Sequence, residues 1–217
     1  MIISHKGKNV LITGGTKGIG LAIAKAFHKS EASLIVTGTK KKPNLRELFG
    51  DSNNKICYIQ LDFSHDPPIE RTLNNIIKNK KIDVLINNAG INRIDSINDI
   101  KENDWDFLNK VNLKGPFLIT RMISKKMINQ KFGKILNIAS VFSVVSKKKR
   151  ASYSSTKWGL VGLTKAVALD LAPYNILVNS LSPGFVKTKL TEQILGKSGM
   201  QKISKSIPLK YLADPSE

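Results

Sequence analysis

The chain has little that would tie it to an oxidising or a membrane environment. It holds one cysteine, Cys57, so no internal disulfide can form and a reducing compartment suits it. Cys57 lies in the apolar stretch Ile56-Cys57-Tyr58-Ile59, where a thiol serves as a small, inert, buried hydrophobe. No apolar run approaches the ~18 residues of a membrane span. The segment Met1 to Lys8 has no apolar signal core, which argues against secretion and for a cytoplasmic protein. Acids are also scarce, 16 against 35 basic residues, for a net charge of +19. A surface of that kind suits nucleic acid, an anionic membrane or an acidic substrate. The cations, however, are 30 Lys and only 5 Arg, beside 26 Ile and 18 Asn. Readers of nucleic acid favour Arg for bidentate contacts. The scattered lysines therefore read as compositional bias, and neither a nucleic-acid nor a membrane partner is expected.

What is present is globular. Hydrophobic residues make up 41% and charged residues 24% of 217, enough for one domain, 1–217, with a real core. Short Ile/Val/Leu runs recur at Val10 to Thr13, Leu34 to Thr37, Ile56 to Leu61, Val84 to Asn87, Lys134 to Ile138 and Ile176 to Leu181. Segments of helical spacing separate them. Ile19, Ala22, Ile23, Ala26 and Phe27 share one predicted face; Ile69, Leu73, Ile76 and Ile77 share another. Strands apolar on both faces, alternating with helices, indicate a parallel sheet covered on both sides, a doubly wound α/β (Rossmann) fold. Two longer helices are predicted: Glu102 to Ile128, bent near Gly115-Pro116, and Ala151 to Leu171, stopping before Pro173. Beyond Ser182 the pattern turns irregular and Lys-rich.

Two motifs carry chemistry. Thr13-Gly14-Gly15-Thr16-Lys17-Gly18-Ile19-Gly20 follows the first strand and opens the first helix. Glycines there let backbone N–H groups and the helix N-terminus approach a pyrophosphate, although a tight turn alone would also use them. Tyr153 and Lys157 stand at i and i+4, on one helical face. An ammonium beside a phenol favours phenolate and makes the tyrosine a usable acid or base.

With Asn87-Asn88-Ala89-Gly90, Leu61-Asp62, Asn112, Ser140 and Pro183-Gly184-Phe185-Val186-Lys187-Thr188 in the same order, the chain resembles the classical short-chain dehydrogenase/reductase family, from Lys8 to its last residue. The resemblance implies that Tyr153 exchanges a proton with a substrate carbonyl oxygen as hydride moves to or from a nicotinamide. It implies that Ser140 orients that carbonyl, that Lys157 lowers the Tyr153 pKa and binds the nicotinamide ribose, and that Asn112 holds a water linking Lys157 to solvent. Gly14, Thr16, Lys17, Gly18, Ile19 and Gly20 then hold the dinucleotide. Asp62 matches the adenine contact, Asn88 and Val186 positions that line the cofactor, and Thr188 a contact to the carboxamide. No metal is expected, because His5, His28 and His65 have no ligand spacing and read as surface residues.

Family members run on through a further helix and a seventh strand, so six strands and a shortened C-terminus are expected here, with Leu177 to Leu181 as a sheet edge. The position where NAD-dependent relatives carry an acid at the end of the second strand is Gly38. Thr39, Lys40, Lys41 and Lys42 follow it, and Lys17 sits in the glycine turn, which favours NADP(H) over NAD(H).

Asn87 to Arg93 and the ungapped step from Ser140 to Tyr153 look most like 3-oxoacyl-carrier-protein reductases. Sugar, polyol and sugar-nucleotide dehydrogenases share the same core. The run Ser146-Lys147-Lys148-Lys149-Arg150 reads as a solvated loop or as a magnet for an anionic, carrier-bound or small-molecule carbonyl substrate. A non-catalytic dinucleotide sensor would lack Ser, Tyr or Lys, and all three are here. Val161, Leu163, Val167 and Leu171 with Phe117, Met122 and Ile123 suggest a helical interface and a homo-oligomer, a dimer above all.

Overall fold

The computed structural model describes residues 4–50, 55–64, 69–78 and 80–217. Its six strands are β1 (Asn9–Ile12), β2 (Ser33–Gly38), β3 (Ile56–Gln60), β4 (Val84–Asn87), β5 (Gly133–Ile138) and β6 (Ile176–Leu181). They form one sheet in the order β3-β2-β1-β4-β5-β6, parallel throughout. The chain winds outward from β1 in both directions, so the connections that leave the C-terminal ends of the paired β1 and β4 run to opposite faces of the sheet. That parting leaves the crevice in which open α/β sheets bind ligands.

Alternate strand residues feed the two faces. Leu11, Ile35, Leu85 and Ile135 pack on one side with Leu73, Ile119 and Ile123. Val10, Ile12, Leu34, Val36 and Ile86 pack on the other with Ala24 and Phe49. The helices are α1 (Gly18–Lys29), α2 (Leu45–Phe49), α3 (Ile69–Ile77), α4 (Glu102–Asn109), α5 (Gly115–Gln130), α6 (Ala151–Leu171) and α7 (Lys189–Ser206).

The predicted face of α1 is shifted. Gly20 and Ala24 are its buried residues, Ile23 and Phe27 are half-buried, and Ala26 is exposed. The helix lies so close to the sheet that its smallest side chains take the contact. On α3, Ile69, Leu73 and Ile77 are buried as expected; the side chain of Ile76 lies outside the described residues. The long predicted helix is α4 and α5 joined by a π-helical turn, Lys110–Lys114, so the irregularity falls just before Gly115-Pro116. It ends at Lys131, which takes the left-handed conformation (φ 50°) that stops a helix.

α7 departs from the expected irregularity. Thr188 caps it by accepting from the Thr191 N–H, and Gly196 (φ 65°) breaks its interior. The chain then returns, and Ala213 pairs with Phe185 and Lys187 through backbone bonds of 3.1 and 2.8 Å. β6 is one edge of the sheet, opposite β3, and its Leu177 and Leu181 are exposed. Cys57 is half-buried against the core.

Candidate active site

The glycine turn is built around Thr13, buried just past β1. Its hydroxyl accepts from the N–H groups of Asn88 and Ala89, both at 3.0 Å. The Asn88 amide returns the link, donating to the carbonyls of Thr13 and Gly14 at 3.0 and 3.2 Å. The loops after β1 and β4 are thereby locked together. Gly14 and Gly18 have positive φ, 65° and 54°, a conformation glycine takes freely. A Cβ on Gly20 would stand 2.3 Å from the Asn88 amide nitrogen and 2.4 Å from the Gly14 carbonyl oxygen. Lys17, at the N-cap of α1, makes no side-chain bond to the first turn and is exposed; Ile19 is half-buried. Thr188 stands across the turn, its methyl 3.4 Å from where a Gly18 Cβ would be. Val186 is held by its bridge to Ala213.

The end of β2 closes the same crevice. A Cβ on Gly38 would meet the Thr16 hydroxyl at 2.7 Å. The Tyr58 hydroxyl donates to the Gly38 carbonyl at 2.8 Å and also contacts the Lys40 carbonyl. Gln60 donates to the Thr39 carbonyl at 3.1 Å. Thr39 and Lys40, Lys41 and Lys42 are exposed beyond that pinned turn. Asp62 is half-buried, and one of its oxygens accepts from the N–H and hydroxyl of Ser64.

A second group gathers past β4 and β5. Ser140 opens a helical turn and accepts from the Phe142 N–H at 3.2 Å. Tyr153, the third residue of α6, is half-buried, with its phenol hydrogen-bonded by Ser140. Lys157 is buried and donates to the Ile138 carbonyl at 2.8 Å; its Nζ lies 5.8 Å from the centre of the Tyr153 ring. Asn112 sits in the π-turn, accepting from the Ile91 N–H and donating to the Ile91 carbonyl, both at 2.9 Å. Its amide also donates to Thr156 on α6 at 3.2 Å. Gly90 lies beneath, its Cβ position 3.3 Å from Asn112 Oδ1 and 3.6 Å from Lys157 Nζ.

Burial pushes the Lys157 ammonium down to about 8, since the charged form loses its hydration. Burial also raises the Tyr153 phenol, while the Ser140 hydrogen bond and the positive charge of Arg150 pull it back. Lys157 gives one of its three N–H donors to Ile138 and keeps its ammonium 5.8 Å from the centre of the Tyr153 ring; Arg150 adds a second positive charge that holds the Tyr153 phenol down.

Arg150 also corrects the reading of the basic run. Lys147, Lys148 and Lys149 are exposed, but Arg150 is only 5% exposed. Its guanidinium lies 5.2 Å from the centre of the Phe142 ring and donates to Asn92 Oδ1 at 3.4 Å. The run borders a cavity of about 380 Å³ lined by Asp95, Ile97, Lys147, Lys148, Lys149 and Arg150. Thr13 and Arg150 stand in the glycine motif and the basic run, but the motifs alone give neither a role apart from its neighbours. A threonine directly before Gly14 and an arginine one turn ahead of Tyr153 were the available signals.

The outer faces of the long helices differ from expectation. Met122, Ile123 and Leu171 are buried in this chain's own core, where their apolar side chains fill the space above the sheet. The exposed large residues there are Trp105, Phe117, Trp158 and Leu169. His5 is half-buried against Ser30, His28 is half-buried, and His65 lies outside the described residues. Among the described residues no group of three or more His, Cys, Asp or Glu side chains comes together, and no helix is long and apolar enough to cross a membrane.

The short chain dehydrogenase family model matches residues 8–198. The chain is 37% identical to the 3-oxoacyl-[acyl-carrier-protein] reductase FabG of Aquifex aeolicus, over 100% of this chain and 89% of that protein. Among solved structures it resembles a putative NAD(P) dependent gluconate 5-dehydrogenase from Beutenbergia cavernae with bound NADP, at a TM-score of 0.92 and 26% identity, covering 100% of this chain and 88% of that one. A gluconate 5-dehydrogenase from Burkholderia cenocepacia in complex with NADP and tartrate matches at a TM-score of 0.90 and 28% identity, over 99% and 86% of the two chains. With a family match over most of its length, and the glycine turn and the Ser140, Tyr153 and Lys157 corner flanking one crevice, the chain belongs to the short-chain dehydrogenase family.

Proposed function

We propose that the protein is an NADP(H)-dependent reductase of a 3-oxoacyl group presented on acyl carrier protein. The reading rests on the likeness to the Aquifex reductase along the whole chain. The described residues fit the dinucleotide on a feature of their own: the glycines let the turn pack tightly against Asn88, and no side chain caps the first turn of α1, which leaves the helix N-terminus for a pyrophosphate. Gly14, Thr16, Lys17, Gly18, Ile19, Gly20, Asn88, Val186 and Thr188 would hold it, with Asp62 toward the adenine end. Bound there, NADPH supplies the hydride. Ser140 holds the substrate carbonyl oxygen, and Tyr153 gives that oxygen its proton. Lys157 binds the ribose hydroxyls, and Asn112 keeps Gly90 and Ile91 in place beside it while steadying the water through which Tyr153 is reprotonated.

Preference for the phosphorylated cofactor follows from Gly38, Thr39 and Lys40, where no carboxylate opposes a 2′-phosphate. An aspartate at position 38 must also displace the Thr16 hydroxyl, so Gly38→Asp weakens NADPH binding, and tighter NADPH binding by that variant would count against the assignment. The exposed Trp105, Phe117 and Trp158 support a homodimer through the long helices, read out by sedimentation velocity. The lone, half-buried cysteine supports a cytoplasmic site of action.

A second reading is reduction of a sugar acid. The three exposed lysines at the cavity that Arg150 borders favour it, as does the likeness to a structure holding NADP and tartrate. NADPH consumption with acetoacetyl thioesters on acyl carrier protein and with keto-gluconates separates the two. Turnover confined to the keto acid would displace the first reading. Replacing Lys147, Lys148 and Lys149 together with Gln lowers kcat/KM for an anionic substrate and flattens its salt dependence, leaving kcat nearly unchanged.

A further inference from the structure

Arg150 is a guanidinium that cannot shed its charge, yet it is 5% exposed. Among the described residues no carboxylate pairs with it. Its contacts are neutral: the Asn92 amide oxygen at 3.4 Å and the face of Phe142 at 5.2 Å. Burying a cation without a counter-charge is expensive, so the position calls for an anion that forms nearby. Phe142 stands edge-on to Tyr153, ring centres 6.3 Å apart, and to Phe185, 5.9 Å apart. One aromatic ring therefore holds the guanidinium and packs on the tyrosine.

We propose that Arg150 is a positioning cation for Tyr153, stabilising the phenolate left when the tyrosine gives up its proton. The idea rests on Tyr153 being the acid of the reaction proposed above. In that reaction the carbonyl carbon takes a hydride from the nucleotide, the carbonyl oxygen takes the proton of the Tyr153 O–H bond, and a phenolate remains. Arg150 lies over the Phe142 ring that packs on Tyr153, and from there its fixed positive charge favours the phenolate.

The other charged groups around this corner are accounted for. Lys157 on α6 donates to Ile138 and lies 5.8 Å from the centre of the Tyr153 ring, so its charge adds to that of Arg150 and is unchanged in the Arg150 variants. On the loop after β4, Arg93 pairs with Asp104 at 3.1 Å, and Asp95 lines the cavity that Arg150 borders. The segment after β6 brings Phe185 to the corner and carries Lys187, which is exposed. Lys147, Lys148 and Lys149 point into water and are screened. The Arg150 guanidinium itself is held below its usual range by burial and raised by Tyr153, a mutual dependence.

The test is an ultraviolet titration of tyrosinate in the full-length protein without nucleotide. The chain has 4 Tyr, so subtracting the Tyr153→Phe curve isolates one of them. Arg150→Gln moves the Tyr153 midpoint to higher pH, so that on the rising limb the phenolate fraction falls at least about threefold. Arg150→Lys restores most of the wild-type curve, and the triple Gln variant of Lys147, Lys148 and Lys149 leaves it in place. The basic limb of the pH profile of kcat/KM moves upward with Arg150→Gln and returns with Arg150→Lys. An unmoved tyrosinate midpoint in folded Arg150→Gln overturns the proposal. If that variant does not fold, the isosteric Asn92→Asp decides, since a carboxylate beside the guanidinium offsets its charge; a midpoint unchanged there overturns the proposal equally. A midpoint that moves in a protein with no carbonyl reductase activity leaves the electrostatic role standing and removes the proposed reaction instead.

Discussion

The two walls of the crevice are made by opposite means. The glycine turn is a structure of close approach: Gly14 and Gly18 take positive φ, a Cβ on Gly20 would collide with the Asn88 amide and the Gly14 carbonyl, and hydrogen bonds among Thr13, Asn88 and backbone pin the two loops together. The corner past β5 is a structure of buried charge and polarity, with Lys157, Arg150, Asn112 and Ser140 all within 8% exposure. One wall tolerates surface cations and cannot tolerate a methyl group. The other is well filled and is sensitive to any change of proton count. Binding and proton transfer thus depend on different physical terms, and separate substitutions can reach each.

The largest effect should come from Tyr153→Phe. It removes a proton donor and leaves the ring that packs on Phe142, so turnover falls by about 10²- to 10⁴-fold while nucleotide affinity and unfolding free energy stay close to wild type. Steady-state kinetics beside a calorimetric titration would show the split, and a matching loss of nucleotide binding would erase the contrast between the walls.

Next comes Lys157. Its pKa in the folded chain is about 8 against 10.5 when unfolded, so between those values the unfolded chain binds more protons. Folding stability therefore rises with pH from about 8 to 10.5, by about 3 kcal/mol at most. Below pH 8 the ammonium is charged in both states and that gain is absent. Denaturant unfolding of the nucleotide-free protein across this window, set against Lys157→Met, isolates the contribution. Equal slopes in the two proteins would mean that the ammonium is better solvated than its burial implies.

Gly20→Ala is the smaller test and belongs to the other wall. The new methyl meets the Gly14 backbone oxygen, which cannot swing aside, and the Asn88 amide that ties the two loops. Destabilisation of about 1–3 kcal/mol is expected, with weaker nucleotide binding and an unchanged pH profile. A normal melting temperature would show that α1 can draw back from the sheet.

Much of this was legible in residue patterns, for reasons that differ from element to element. The six strands announce themselves because a doubly covered parallel sheet demands unbroken apolar runs. α6 matches its predicted span because its start follows a polar run and Pro173 ends it. α7 escaped because it carries no buried residue and no apolar stripe, and Gly196 interrupts it; its stability comes from the Thr188 cap and from contacts that leave no periodic trace. Met122, Ile123 and Leu171 looked available for a partner because spacing cannot tell an inner face from an outer one when both are apolar. Arg150 was hidden by its neighbours, since four cations in a row read as one solvated patch. Only the turn into α6 sends the fourth one inward.

The π-turn at Lys110–Lys114 has a consequence for the mobility of the loop beside it. Because Asn112 both accepts from and donates to the backbone of Ile91, its carboxamide stands in for a peptide group, and the pair of bonds amounts to one extra rung of sheet ladder contributed by a helix. Ile91 lies outside every strand, yet its amide proton should exchange with solvent as slowly as those of β4. An aspartate at 112 would keep the accepting half of that rung and lose the donating half. The loop that floors the site is therefore held at Ile91 from a helix, as Thr13 holds it at Asn88 and Ala89, and its rigidity at Ile91 can be tuned at Asn112 without touching a residue of the sheet.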